Sequence, residues 1–320
     1  MTRFAFIFSL LILFASCGTK TATDKITSSQ WELFGFLPYN TGYLFYANLD
    51  ELRNTKFGIE NFLPAISKDT SNVWVKKFEE ETKVNLKKGI NEILIAHTND
   101  DKSIFIVRFA DSYNRVKDFF NKSPGFIKNE INKKETFSLK ENPSAQIYFP
   151  EHDILLLTND SSFQKSLIMN EGKKLSENGH FISIINNIKN KNHIWMATDK
   201  GAYAAGIFDR IAGKDSKLLS PEILSSISNF TLSAGFSEGV QIESALGCTS
   251  AGNAYLLASA VEGAIAMNIL SEKDIKLGKI FGKLDVKREG KLIRFNINLT
   301  KKELDDLKLF KKYNNQVNKF

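Results

Sequence analysis

The clearest pattern in the chain lies near its end, where Ile293, Phe295, Ile297 and Leu299 alternate without a break with Arg294, Asn296 and Asn298. Alternation with period two predicts a strand with one buried face and one wet face. Shorter signals of the same kind recur upstream. Tyr43 to Asn48 reads as a strand, followed by helices over Phe57 to Ile66 and Val73 to Thr82. Ile93 to His97 and Ile104 to Phe109 predict two strands joined by Asn99-Asp100-Asp101-Lys102, a hairpin turn sequence. Asp111 stands at an N-cap position before a helix that sets Val116, Phe119 and Phe120 on one side. Phe137 to Lys140, Gln146 to Phe149 and Ile154 to Thr158 add three strands, and Phe163 to Met169 a helix.

The order then repeats. His193 to Ala197 predicts a strand, Ala202 to Ile211 and Pro221 to Ile227 helices, and Phe230 to Phe236 with Val240 to Leu246 a hairpin over Ser237-Glu238-Gly239. Thr249-Ser250 caps a long helix that reaches about Met267. Lys283 to Lys287 and Leu292 to Leu299 form a hairpin over Arg288-Glu289-Gly290, and Thr300 with Glu303 has capping-box spacing for a last helix. Asn91, Leu94 and Ala96 lie 138 positions before Asn229, Leu232 and Ala234; Asp111 lies as far before Thr249, and Thr158 lies 142 before Thr300. Order and offset together predict an α+β body of two similar copies of a β-α-β-β-α-β-β-α unit, residues 31–190 and 191–320. Its sheets are expected to be largely antiparallel, with helices packed on one face. The helix from Ala251 (AGNAYLLASAVEGAIAM) is almost wholly apolar or small and reads as a core helix. The other reading is a membrane-inserted or partner-binding helix, although Glu262 and the short length disfavour spanning.

At the other end, Arg3 precedes an apolar run from Phe4 to Phe14 broken only by Ser9, and Ala15-Ser16-Cys17-Gly18 follows. This order of charge, apolar core and small residues describes a secretory signal over residues 1–16. The run is shorter than the about 20 residues that a spanning helix needs. "FASC" resembles the lipobox of bacterial lipoproteins, with Phe14 where leucine is usual. The resemblance implies a diacylglycerol on the thiol of Cys17 and cleavage before it. The alternative is an ordinary signal peptide with a cysteine near its cleavage site. Acyl chains contribute about 0.8 kcal/mol per buried methylene, enough for stable mooring once more than one chain is attached. Residues 17–30, rich in Thr and Ser, read as a lipidated flexible tether. The expected location is the bacterial cell envelope, outside the cytoplasm, on a membrane through the N-terminal lipid.

Composition narrows the classes further. A hydrophobic content of 42% supplies a core, so the body is expected to fold. The formal net charge is +7, most of it lysine scattered among acids; the nearest thing to a basic patch is Lys189-Asn190-Lys191. Nucleic-acid binders concentrate their charge and favour arginine, so no nucleic-acid partner is expected. With Cys17 lipidated, Cys248 has no partner for an intrachain disulfide. His97, His152, His180 and His193 show no metal-ligand spacing, and no metal or cofactor is expected. Cys248 in GCTSAG sits at a strand-to-helix turn, as a nucleophile would, but no companion motif accompanies it. GKIFGK (Gly278 to Lys283) fails phosphate-loop spacing, and Glu79-Glu80-Glu81 point different ways around a helix.

Leu37 to Leu52 (LPYNTGYLFYANLDEL) resembles the opening of uncharacterised families of bacterial secreted proteins and lipoproteins of the domain-of-unknown-function kind. That resemblance implies an envelope location and no particular activity. The sequence therefore favours a non-enzymatic, membrane-anchored envelope lipoprotein with a binding or structural role, whose partner is an unknown envelope protein or an apolar ligand. The alternatives are a carrier or sensor of an apolar ligand held between helix and sheet, and a hydrolase with an unrecognised active site.

Overall fold

The computed structural model describes residues 24–62, 73–111, 113–201, 225–271, 279–280 and 282–306. Among the described residues twelve strands form a single sheet: β1 (Thr41–Asn48), β2 (Ile90–Thr98), β3 (Ser103–Phe109), β4 (Phe126–Ile131), β5 (Lys134–Leu139), β6 (Gln146–Glu151), β7 (Ile154–Thr158), β8 (Ile194–Thr198), β9 (Ile227–Phe236), β10 (Gly239–Cys248), β11 (Asp285–Glu289) and β12 (Leu292–Thr300). Their spatial order is β11-β12-β10-β9-β8-β1-β2-β3-β7-β6-β5-β4, and each neighbouring pair is antiparallel. The helices are α1 (Ser28–Phe34), α2 (Leu49–Arg53), α3 (Val73–Thr82), α4 (Leu86–Gly89), α5 (Tyr113–Lys122), α6 (Ser161–Ile168), α7 (Gly179–Asn186), α8 (Ala251–Ser271) and α9 (Lys301–Asp306). The α+β class is thus observed. The sheet runs unbroken through the boundary expected at residue 190, because β1 pairs with β8.

Local chemistry explains where elements begin. Asn48, Asp160 and Asn178 each accept main-chain N–H bonds at the starts of α2, α6 and α7. Ser250 Oγ accepts from the Asn253 N–H at the start of α8, and Thr300 and Glu303 close the expected capping box of α9. Asn132 and Lys133 both have positive φ, 47° and 60°, which matches the primed two-residue turn that a twisted hairpin needs between β4 and β5.

Helices cover both faces of the sheet, not one. Leu33 and Phe34 of α1 and Phe181, Ile184 and Ile185 of α7 join Leu44, Tyr46, Leu94, Ile106 and Trp195 on the first face, and Phe163 and Leu167 of α6 pack against the same cluster. Val116, Phe119 and Phe120 of α5 join Val107, Phe137 and Ile147 on the second face. The cause is visible in Tyr43-Leu44-Phe45-Tyr46-Ala47, an almost continuous apolar run that asks for burial on both sides.

Strand order is mirrored about the β1–β8 seam: β1, β2, β3, β7, β6 run one way and β8, β9, β10, β12, β11 the other. The residue identities at offset 138 do not follow this symmetry. Leu94 and Ala96 share the face of Tyr46 and Trp195, whereas Leu232 and Ala234 share the face of Met196 and Ile194. A two-fold relating adjacent antiparallel strands preserves the face, so an even offset here misaligns the two strands by one residue.

The sequence reading did not anticipate α1, α4, β4 or α7. Within the span read as tether, Thr27 and Gln30 form a capping box, Gln30 is 1% exposed, and its Nε2 donates to the Lys191 carbonyl. Of the expected helix over Phe57 to Ile66, the described part holds a π-helical turn, Gly58–Phe62, and residues 63–66 lie outside the described residues. Ala202 to Ile211 lies outside them entirely, as does Pro221 to residue 224, and Ile227 opens β9. Cys17 and the signal segment also lie outside the described residues.

Candidate functional site

Cross-strand register places one row of side chains along the first face: Tyr148, Leu156, Ile106, Leu94, Tyr46, Trp195, Ser233, Glu243, Asn296 and Asp285. The row changes character at Ser233. Up to Trp195 it is apolar and lies under α1, α6 and α7; beyond, it is polar and floors a cleft of about 470 Å³, counting its open mouth. A parallel row two residues along runs Leu44, Ala197, Thr231, Ala245, Arg294 and Lys287. The wall is the chain leaving α7, Asn187 to Lys189.

Arg294 joins wall to floor. Its Nη1 donates to the Asn187 carbonyl at 2.8 Å and its Nε to Glu289 Oε2 at 2.7 Å, which holds the Glu289 carboxyl below its ordinary pKa. Lys287 Nζ lies 2.8 Å from Asp285 Oδ2. Thr231 and Ser233 are each 2% exposed. Glu243 Oε1 accepts from Gln241 Nε2 at 2.9 Å, while Glu243 Oε2 and Asn296 Oδ1 are buried with no hydrogen-bond partner. These two acceptors sit opposite each other on neighbouring strands. Trp195 Nε1, next along the row from Ser233, is also buried without a partner. Buried polar atoms are nearly always paired, so these two acceptors leave hydrogen-bonding positions unfilled by the described residues at the cleft floor.

A second polar cluster lies beneath α1 and is structural. Glu92, 5% exposed, accepts from Tyr46 Oη and from Ser29 Oγ at 2.5 Å. Arg108 Nε lies 3.0 Å from Glu92 Oε2, off the hydrogen-bond axis, and Arg108 Nη2 donates to Glu32 Oε2 at 2.6 Å. Burial and the Glu92 charge push the Tyr46 phenol well above its ordinary pKa, so it stays a donor. Ser29 and Glu32 belong to α1, so the network fastens that helix to the sheet.

The residues singled out in the sequence fall elsewhere. Cys248 ends β10 at the expected strand-to-helix turn, but it is 3% exposed among Ile227, Phe230 and Leu257, and burial pushes its thiol pKa up. A nucleophilic thiolate needs the opposite. His97 contacts Ser103, His152 packs on Tyr113 and His193 on Phe236, and His180 lies in α7. Among the described residues no group of three His, Cys, Asp or Glu could hold a metal. Lys189 is exposed, but Lys191 is fully buried, its Nζ donating to the carbonyls of Asp24 and Ile188; the basic patch is really one surface lysine and one internal clamp.

Helix α8 is not buried all round. Ala254, Leu257 and Ala258 face the sheet, whereas Tyr255 and Leu256 are 54% and 55% exposed, with the Arg288 guanidinium 4.6 Å from the Tyr255 ring centre. Residues at i, i+3 and i+4 make this packing face, and Ser259, Glu262 and Gly263 are exposed along with Tyr255 and Leu256. No helix among the described residues is long and apolar enough to cross a membrane.

No protein-family model matches the sequence. No curated protein matches it either. Solved structures do. TP0453 in its crystal form III aligns with a TM-score of 0.50 at 9% identity, covering 85% of this chain and 95% of that one. Crystal form IV of TP0453 gives 0.49 at 9% identity, over 88% and 99%. The crystal form III likeness shows a shared fold and says nothing of activity.

Proposed function

We propose that this chain is a lipid-anchored protein of the bacterial cell envelope whose α+β body has a non-catalytic binding role, exercised through the polar cleft. The observation that carries the binding role is the orphaned pair Glu243 Oε2 and Asn296 Oδ1 on the open half of the sheet. The address rests on Arg3, the apolar run to Phe14 and the small residues before Cys17. The apolar-carrier reading has less support, since the cleft floor is polar, and the hydrolase reading less again, since Cys248 is enclosed by apolar side chains. The mirrored strand order supports an origin by duplication about the β1–β8 seam, with Phe45 and Met196 at its centre.

Two measurements test the role. Labelled fatty acid should enter the native chain and be lost in Cys17→Ala; equal labelling would remove the anchor. Capture from envelope extracts, with small molecules identified by mass spectrometry, should retain a polar ligand on the native chain and lose it in the Glu243→Gln, Asn296→Ala double variant. Retention by both would remove the cleft.

A further inference from the structure

We infer that the cleft binds a small zwitterion: an ammonium group on the Glu243–Asn296 row, and a carboxylate or phosphate on the Arg294–Lys287 row. The first half of the assignment follows from the acceptors. Glu243 presents an ionisable carboxylate whose Oε2 is buried and unpaired, and the Asn296 amide oxygen opposite is in the same condition. An ammonium carries three donors and no acceptor, so it can satisfy both oxygens and compensate the carboxylate charge. A neutral ligand could not do the second.

The other half follows from the cations beside them. Arg294 commits two of its N–H groups, to Glu289 and the Asn187 carbonyl. A guanidinium has five, which leaves donors for an anionic group. Lys287 is its cross-strand neighbour and Lys189 stands on the wall. The lining is balanced, Lys189, Lys287 and Arg294 against Glu243, Asp285 and Glu289, so a ligand that carries both charges keeps that balance where a singly charged one would upset it. The two rows are two residues apart along each strand, about 7 Å, so the poles belong on a spacer of a few atoms. A free amino acid-like molecule and a phosphoethanolamine lipid headgroup share this chemistry.

This ligand assignment rests on the binding role proposed above but not on the anchor. The full chain is titrated calorimetrically with γ-aminobutyrate and with O-phosphoethanolamine, using butyrate and n-butylammonium as single-charge controls. At least one zwitterion should bind saturably and each control at least about tenfold more weakly. Glu243→Gln, which preserves shape, should weaken zwitterion binding about tenfold or more with unchanged melting. The Cys17→Ala chain is then mixed with phosphatidylglycerol vesicles, with and without phosphatidylethanolamine. Added retention by phosphatidylethanolamine assigns the lipid source; binding of the free zwitterions alone assigns a soluble one. Absence of saturable binding by both zwitterions, equal binding of a control, or an unaffected Glu243→Gln variant would overturn the assignment. A ligand captured from extracts that is not a zwitterion would do so while leaving the binding role intact.

Discussion

Glu92→Gln is the most informative test of how α1 is held. The substitution keeps the side-chain volume and removes the charge facing Arg108, 3.0 Å away, in a site where the two side chains are only 6% and 16% exposed. Removing one partner of a buried ion pair costs roughly 3–5 kcal/mol when the other is stranded. Arg108 is not fully stranded, because Glu32 remains at 2.6 Å and Asp153 at 3.7 Å. The hydroxyls of Tyr46 and Ser29 can also rotate to suit an amide. A loss of about 2–3 kcal/mol is therefore expected, which for a body of this size lowers the melting temperature by roughly 3–5 °C. The assay is chemical and thermal denaturation of the full chain at neutral pH. Tyr46→Phe should cost about 1.5–3 kcal/mol, because its hydroxyl donates to an ionised acceptor. The double variant should lose less than the sum, by about 1 kcal/mol or more, since both act on one network. A Glu92→Gln protein that melts with the native one would refute the reasoning and leave the packing of Leu33 and Phe34 as the fastening of α1.

Gly201→Ala should destabilise by more than 2 kcal/mol on the order-of-magnitude scale of a forced backbone shift, because a Cβ there would lie 1.7 Å from the Ile227 carbonyl oxygen; unchanged denaturation would contradict the close approach. Burial holds the His193 pKa below its ordinary value, so the unfolded chain takes up the proton first as pH falls from about 6.5. Stability should therefore decline through that window toward the lower folded value, and His193→Gln should remove that part of the slope in denaturation at pH 7.5 and 5.5. The raised Cys248 thiol works at the other end: stability should fall as pH rises above about 8.5, and iodoacetamide should label Cys248 far more slowly in the native protein than in denaturant. Leu256→Lys should change stability by less than about 0.5 kcal/mol, since the side chain is more than half exposed; a larger loss would mean that this face of α8 is packed.

Hydrophobic period and turn chemistry made most of the sheet legible. Val73–Thr82 and Ile154–Thr158 match their expected spans, and the β9–β10 hairpin turns within Ser237-Glu238-Gly239; the β11–β12 hairpin turns at Gly290-Lys291, because Arg288 and Glu289, expected in the turn, still pair with Ile293 and Leu292. β4 was hidden because Lys128, Asn129 and Glu130 are all exposed and give no alternation. α7 was hidden because its Ile-rich sequence (GHFISIIN) suits a strand as well as a helix. α1 carried a readable signal, Thr27 with Gln30, inside a stretch whose Ser and Thr content pointed to a tether. The cleft was only half visible. Arg294, Asn296 and Asn298 could be assigned to a wet face from their own strand. That Ser233, Glu243 and Asn296 line up depends on the register of three strands, which local pattern does not specify.

The central claim, that the polar half of the sheet is a ligand site, is tested most directly by nitrogen-15 NMR of the full chain during addition of γ-aminobutyrate and O-phosphoethanolamine. The expected result is a saturable shift of the Asn296 and Gln241 side-chain amide signals, accompanied by Trp195 Nε1 at the near end of the row. Shifts confined to α8 or to the far half of the sheet, or none at saturating concentration, would contradict it.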